Sequence, residues 1–210
     1  MASEVGRGAR GRGRPAMTAG ADTRQRILHA ARAVFSEVGY QSATFREIAA
    51  RADLTRPAVN HYFRDKTELY TALFEATRDE VVAAGIDQAS EQPTLAARIS
   101  SFLATAVHAD SSDRSYAQFI SSSLLDSVRH PEFQERALGQ LDELRGFLGE
   151  TLHSAADRGV LPPGTDIEAV TEMLIAVMWG MGLYAGFVGS HDDLESVVAQ
   201  FTKLLEGNGW

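Results

Sequence analysis

From Asp22 to Leu205 apolar residues return every three or four positions, and no stretch alternates apolar with polar between hairpin turns. That one periodicity excludes a sheet and leaves packed helices as the way to bury a core. The fold class it predicts is all-α, with about nine helices.

The punctuation between the periodic runs supports this. Asp22 or Thr23 can cap a first helix whose apolar positions are Ile27, Ala31, Val34, Phe35 and Val38, and Gly39 can end it. A short helix, Phe45 to Arg51, follows, then a turn at Ala52-Asp53-Leu54. Thr55 can cap a second short helix reaching about Phe63, where Pro57 costs no hydrogen bond in the first turn. Asp65 opens a helix to about Ala84, Thr94 another through Leu95 and Val107, and Ser115 to Val128 a third. Pro131 starts a long helix past Leu152, and Asp166 an apolar one to about Val188. Asp192 or Asp193 starts the last, through Leu205.

Charge divides the chain. The total over 210 residues is -8. Met1–Tyr70 carries 12 Lys+Arg against 7 Asp+Glu, whereas Thr71–Trp210 carries 8 against 21. A basic head on an acidic body suits a polyanion partner at one end only. Residues 1–21, rich in Gly, Arg and Ala without apolar periodicity, are expected to be a disordered basic arm. The arm contains Arg12-Gly13-Arg14-Pro15, the core tetrapeptide of AT-hook minor-groove binders. A solvated basic tail and a minor-groove finger both remain open for it, and Met17 is a second possible start.

The stretch after Ser42 has the steric grammar of a helix-turn-helix. Ala49 is small where a second helix must pack, and Ile48, Leu54 and Val59 are apolar where the helices must adhere. Position 53 needs a left-handed backbone, for which Gly is best and Asp is tolerated.

Three coupled motifs carry a resemblance: Thr44-Phe45-Arg46-Glu47-Ile48-Ala49, then Ala52-Asp53-Leu54-Thr55, then Val59 through Leu69, Val-Asn-His-Tyr-Phe-Arg-Asp-Lys-Thr-Glu-Leu. Together, over about Thr23 to Phe74, they resemble the DNA-binding domain of the TetR family of transcriptional repressors. Asp53 departs from the family's usual Gly, and Asn60 from a frequent Tyr. The resemblance implies a DNA-binding domain at 22–68 and a ligand-binding and dimerisation domain at 69–210. It makes Arg56–Phe63 the recognition helix, entering the major groove by its N-terminal end. Arg56 can fork onto guanine, Asn60 can pair with adenine, and Ala58 can touch a thymine methyl. Thr44, Thr55, His61, Tyr62 and Lys66 become phosphate contacts, and Arg46 completes the DNA-facing set.

So short a helix reads few base pairs, which points to a homodimer on a palindromic double-stranded operator. Met173–Val188, apolar nearly all round and relieved by Ala176, Gly180, Gly182 and Gly186, together with Leu194–Leu205, is the expected dimer seam. By the same resemblance the middle helices enclose a pocket for a small, mostly apolar effector. Its candidate lining is Phe74, Phe102, His108, Tyr116, Phe119, Phe147, Met178 and Trp179.

Other chemistry finds no support in the sequence. There is no Cys, the six His have no metal-ligand spacing, and Ser121-Ser122-Ser123 lacks nucleophile-elbow glycines. No glycine pattern of a phosphate loop is present, so neither cofactor nor metal is expected. The apolar run Met173–Val188, at 16 residues, is shorter than the roughly 20 of a membrane span, so a cytoplasmic protein without membrane partner is expected. An all-α carrier or enzyme with an incidental helix-turn-helix remains the alternative, as does a structural protein holding DNA through the Arg-rich arm.

Overall fold

The computed structural model describes residues 16–187 and 190–207, and of 16–19, 110 and 112 the backbone only. Among them are ten α-helical segments and no strand: α1 Ala16–Ser42, α2 Phe45–Arg51, α3 Arg56–Tyr62, α4 Lys66–Arg78, α5 Ala84–Ser90, α6 Leu95–Ser112, α7 Ser115–Arg129, α8 Pro131–Asp157, α9 Ile167–Phe187 and α10 His191–Leu205. A π-helical turn, Asp79–Ala83, joins α4 to α5 without a break. Counted as rods, the described residues make the nine expected from periodicity.

Three boundaries differ from the sequence reading. Residues 16–21, expected in the disordered arm, belong to α1, so Asp22 and Thr23 lie inside that helix rather than capping it. Ala16, Ala19 and Ala21 are strong helix formers and extend the helix without needing an apolar stripe. The tetrapeptide at 12–15 lies outside the described residues. The α4 rod continues past Ala84 to Ser90, because the π turn absorbs an extra residue instead of ending the helix. Finally, α10 is capped by Ser190, whose hydroxyl accepts from Asp193 N while the Asp193 carboxylate accepts from Ser190 N. Asp193 is the third residue of the helix, the far partner in that capping box, and not its cap.

Elsewhere the local signals act as read. Gly39 (φ 76°) breaks the helical backbone near the end of α1. Thr44, Thr55, Asp65 and Thr94 cap their helices by accepting backbone N–H bonds. Asp166 caps α9 by accepting from Ala169 N at 3.1 Å.

Two apolar cores result. The head core joins α1–α4 through Ile27, Phe35, Ile48, Val59, Phe63, Leu69 and Leu73, and takes Phe119 and Phe133 from the body. The body core joins α5–α10 through Ile99, Phe102, Leu148, Leu152, Leu174 and Met178. α4 packs Leu69, Tyr70, Leu73 and Phe74 into the head before carrying the chain onward.

By length and mean hydropathy (21 residues, 1.4), α9 is long and apolar enough to cross a membrane, which the 16-residue count had not allowed. The helix begins at Ile167, ahead of the uninterrupted apolar run. Here it serves as a core helix, with Leu174, Ile175, Met178 and Met181 buried.

Candidate nucleic-acid interface and internal cavity

The helix-turn-helix is held by local bonds and one long arm. Thr44 and Glu47 form a reciprocal capping box at the start of α2. Asp53 (φ 53°) is the only non-Gly residue with positive φ among the described residues, and Leu54 N closes the turn on Ala49 O at 2.9 Å. Arg26 of α1 reaches across to donate to Ala52 O at 2.6 Å, so the turn's outward carbonyls are tied to the supporting helix. Ile48, Ala49 and Val59 are buried beneath, as the steric pattern requires.

α3 thus presents a fixed outer face. Arg56 and Asn60 are exposed one turn apart, with no hydrogen bond or ion pair among the described residues, and so is Arg46 on α2. His61 is exposed, its ring 5.3 Å from that of Tyr62. Ala58 and Tyr62 are half-buried. Thr55 accepts from Ala58 N at 3.3 Å, which leaves its hydroxyl hydrogen for an outside acceptor. Thr44 differs, because its hydroxyl hydrogen already goes to Glu47 at 2.8 Å.

The basic excess of the head is mostly consumed internally. Arg51 forks onto Glu37, with Nη2 to Oε2 at 2.8 Å, and Arg24 lies over the Phe63 ring at 5.3 Å. Lys66 donates to Gln41 O at 2.9 Å and Ala43 O at 3.2 Å, with its ammonium 4.7 Å from the Tyr40 ring. Burial lowers its pKa against the opposing pull of Asp126. Lys66 therefore fastens the start of α4 to the segment after Gly39, and two of its three N–H donors are occupied.

Sequence reasoning missed the polar joint between head and body. Arg32, buried on the inner face of α1, donates to Ser115 Oγ and Asp113 Oδ2, each at 3.0 Å, and lies 3.4 Å over the Tyr116 ring. Glu80, from the π turn, stands 3.8 Å from Arg32 and accepts the Tyr116 hydroxyl. The available signal was an Arg set among Leu28, Ala31 and Phe35 on an otherwise apolar face. A buried cation needs a partner, and the partner comes from a distant helix.

In the body lies a cavity of about 130 Å³. Phe102, Tyr116, Met178 and Trp179 line it, with Val81 and Val82 of the π turn, Thr77 of α4, and Leu103, Leu144 and Met181. The other four residues expected there lie elsewhere. Phe74 is packed in the head core, and Phe119 is also in that cluster, with its ring 5.5 Å from Tyr70. Phe147 stands behind Phe102, their rings stacked at 6.0 Å, and His108 is exposed. All four have the right helical spacing, but spacing does not say which side of a rod faces a void.

α9 leaves an apolar stripe uncovered. Met173, Ala176, Gly180, Leu183 and Phe187 are exposed at steps of three and four, beside Val197 and Leu204 of α10. The small residues expected together on this seam divide between two tasks. Gly180 has open space where a Cβ would stand, whereas a Cβ on Gly186 would come 3.0 Å from Ala117 O, so Gly186 serves the contact of α9 with α7. Gly182 lines the cavity and accepts from Ser121 Oγ at 3.2 Å.

Comparison with known proteins adds the following. Residues 27–73 match the profile of bacterial regulatory proteins of the tetR family. Residues 95–208, more than half of the chain, match the C-terminal domain of the BetI-type transcriptional repressor. The HTH-type transcriptional regulator SrpR of Pseudomonas putida is 27% identical over 194 residues, covering 90% of this chain and 84% of that one. The fatty acid degradation regulator FadR from Bacillus halodurans superimposes with a TM-score of 0.74 at 20% identity, over 88% of this chain and 95% of the other. FadR from Bacillus subtilis, solved in complex with stearoyl-CoA, does so at 0.70 and 18% identity, over 88% and 98%.

Proposed function

The chain belongs to the TetR family of bacterial regulatory proteins, and on that premise we propose that it is a cytoplasmic repressor that binds a palindromic operator as a homodimer and leaves it when a small, mostly apolar effector enters the body. The observation that carries this reading is the outer face of α3. Arg56 and Asn60 stand unpaired one turn apart on a capped helix whose turn is pinned from behind by Arg26. In the reading, Arg56 takes a guanine edge, Asn60 an adenine, and Ala58 a thymine methyl. Arg46, Thr55, His61 and Tyr62 meet phosphates, joined by the third donor of Lys66, and Thr44 sets the N-terminal end of α2 toward the backbone.

The exposed stripe on α9 supports the dimer. Steps of three and four are the spacing of a helix seam, and an apolar face of that size is stable when a second copy covers it. Two α9–α10 pairs then form a four-helix bundle, and the acidic bodies face away from the phosphates. The heads are thereby set to read half-sites about one DNA turn apart, roughly 34 Å.

The π turn supports the coupling. Val81 and Val82 touch the cavity while Glu80, in the same turn, bears on Arg32 of the head helix through charge and through Tyr116. An occupant that moves this turn changes the set of α1 and, with it, the spacing of the heads. The stearoyl-CoA of the Bacillus subtilis protein is not carried over, because its long acyl chain is several times the bulk that about 130 Å³ admits.

Selection of random DNA fragments by the purified full chain tests the reading. Recovery of one palindrome, bound far more tightly than random DNA at moderate salt, is the expected result. Equal affinity for all fragments would overturn it.

A further inference from the structure

Beside the cavity stands a polar atom that the fold leaves unused. Thr77 is 3% exposed, lines the cavity, and its Oγ1 has no hydrogen-bond partner. Threonines in helices usually satisfy the hydroxyl on the carbonyl one turn back, as Thr105 does on Ser101 O and Thr171 on Ile167 O. Thr77 makes no such bond. The other buried lining hydroxyl, that of Ser123, donates to Ile120 O at 2.8 Å. A buried hydroxyl without a partner costs free energy, which a bound molecule carrying the matching group recovers.

Size and charge narrow the molecule. An apolar cavity of roughly 150 Å³ admits benzene, so about 130 Å³ admits a single ring or a short branched chain. No Asp, Glu, Lys or Arg lines the cavity, so a charged guest finds no counter-ion there. Resting on the reading of this cavity as the effector site, we propose that its ligand is a neutral, ring-sized hydrocarbon bearing one hydroxyl or carbonyl oxygen, and that this oxygen hydrogen-bonds the hydroxyl of Thr77. Phe102, Leu103, Leu144 and Met178 supply the apolar walls. The adjoining Val81 and Val82 place the guest against the π turn.

Calorimetric titration of the full-length protein with benzyl alcohol and with toluene tests this, alongside release of selected operator DNA by each compound. Wild type is expected to bind benzyl alcohol about tenfold more tightly than toluene, one hydrogen bond's worth. Thr77→Val keeps the shape and removes the hydroxyl, so it is expected to fold normally and bind the two equally. Thr151, the second buried hydroxyl without a partner, does not line the cavity, and Thr151→Val is expected to keep the wild-type preference. Equal binding by wild type, a preference that survives Thr77→Val, or binding of a long-chain acyl-CoA in place of both probes overturns the ligand class. Oxygen-dependent binding with no DNA release leaves the class standing and overturns the effector reading instead.

Discussion

The hydroxyl of Tyr70, on α4, donates to Oδ2 of Asp126, on α7, at 3.0 Å, and the same carboxylate oxygen accepts the backbone N–H of Tyr40 at 3.3 Å. Tyr70 is fully buried and Asp126 is 6% exposed, so one carboxylate locks the end of α1 and the start of α4 to the body. Tyr70→Phe removes one of its two donors while leaving the ring packing against Phe35 and Phe133. The expected loss is about 2 kcal/mol, read by urea unfolding, with Asp126→Leu at least as damaging. A stability unchanged by Tyr70→Phe would refute the lock.

The same pair makes the fold sensitive to alkali. Burial, followed by the negative charge of Asp126 and the bond to it, raises the pKa of Tyr70 well above its ordinary value of 10.0. The folded chain keeps this phenol protonated where the unfolded chain ionises it. Its contribution is therefore complete below pH 10 and declines as the pH rises from there toward the folded value. Phenolate absorbance at high pH should show one tyrosine that ionises only with unfolding, and Tyr70→Phe should abolish that step.

Asp53 occupies a left-handed backbone position, φ 53°, that β-branched residues tolerate badly. Asp53→Val is expected to destabilise the head by about 1–2 kcal/mol, whereas Asp53→Gly should be neutral or stabilising. Thermal unfolding of both variants checks the order.

Arg56→Ala or Asn60→Ala should weaken operator binding by about 1–3 kcal/mol and relax base preference at particular positions. Lys66→Ala should instead weaken binding to every sequence alike. It should also lower thermal stability, since it frees the carbonyls of Gln41 and Ala43. Binding to a panel of operator variants distinguishes the two patterns, and a base-specific effect of Lys66→Ala would reverse the assignment.

Leu183 and Gly186 lie three residues apart on α9 and have different tasks. Leu183→Glu, on the exposed stripe, should yield a folded monomer with lost operator affinity, visible by sedimentation. Gly186→Ala drives a Cβ against the backbone of α7 at Ala117 and Gln118, which cannot yield as a flexible side chain does, and should reduce stability instead of changing oligomeric state.

How legible each part was follows from the distance over which it is encoded. Gly39, Thr44, Asp53 and Thr55 act within one helical turn, on the backbone conformation or the cap of their own segment. Their roles could be read from neighbours in the chain. Residues 16–21 and the extension through the π turn were misread because helix propensity and a single inserted residue leave no strong mark in apolar periodicity. At the site, Arg56 and Asn60 are pointed out by the family resemblance, but the resemblance does not show that Arg24, Arg26 and Arg51 are already engaged within the head.

The sequence alone determined that the chain is helical, where most rods begin and end, and that three of them make a helix-turn-helix. The rods and their ends follow from residues at most a few positions apart, and the helix-turn-helix from the motifs between Thr44 and Leu69. Only the tertiary structure decided that Phe102 and Met178 face a void while Phe74 and Phe119 fill a core, and that Arg32 answers to Asp113, 81 positions away. Voids and buried ion pairs arise where several rods meet, and the angle at which each rod presents its face is set by all the others together.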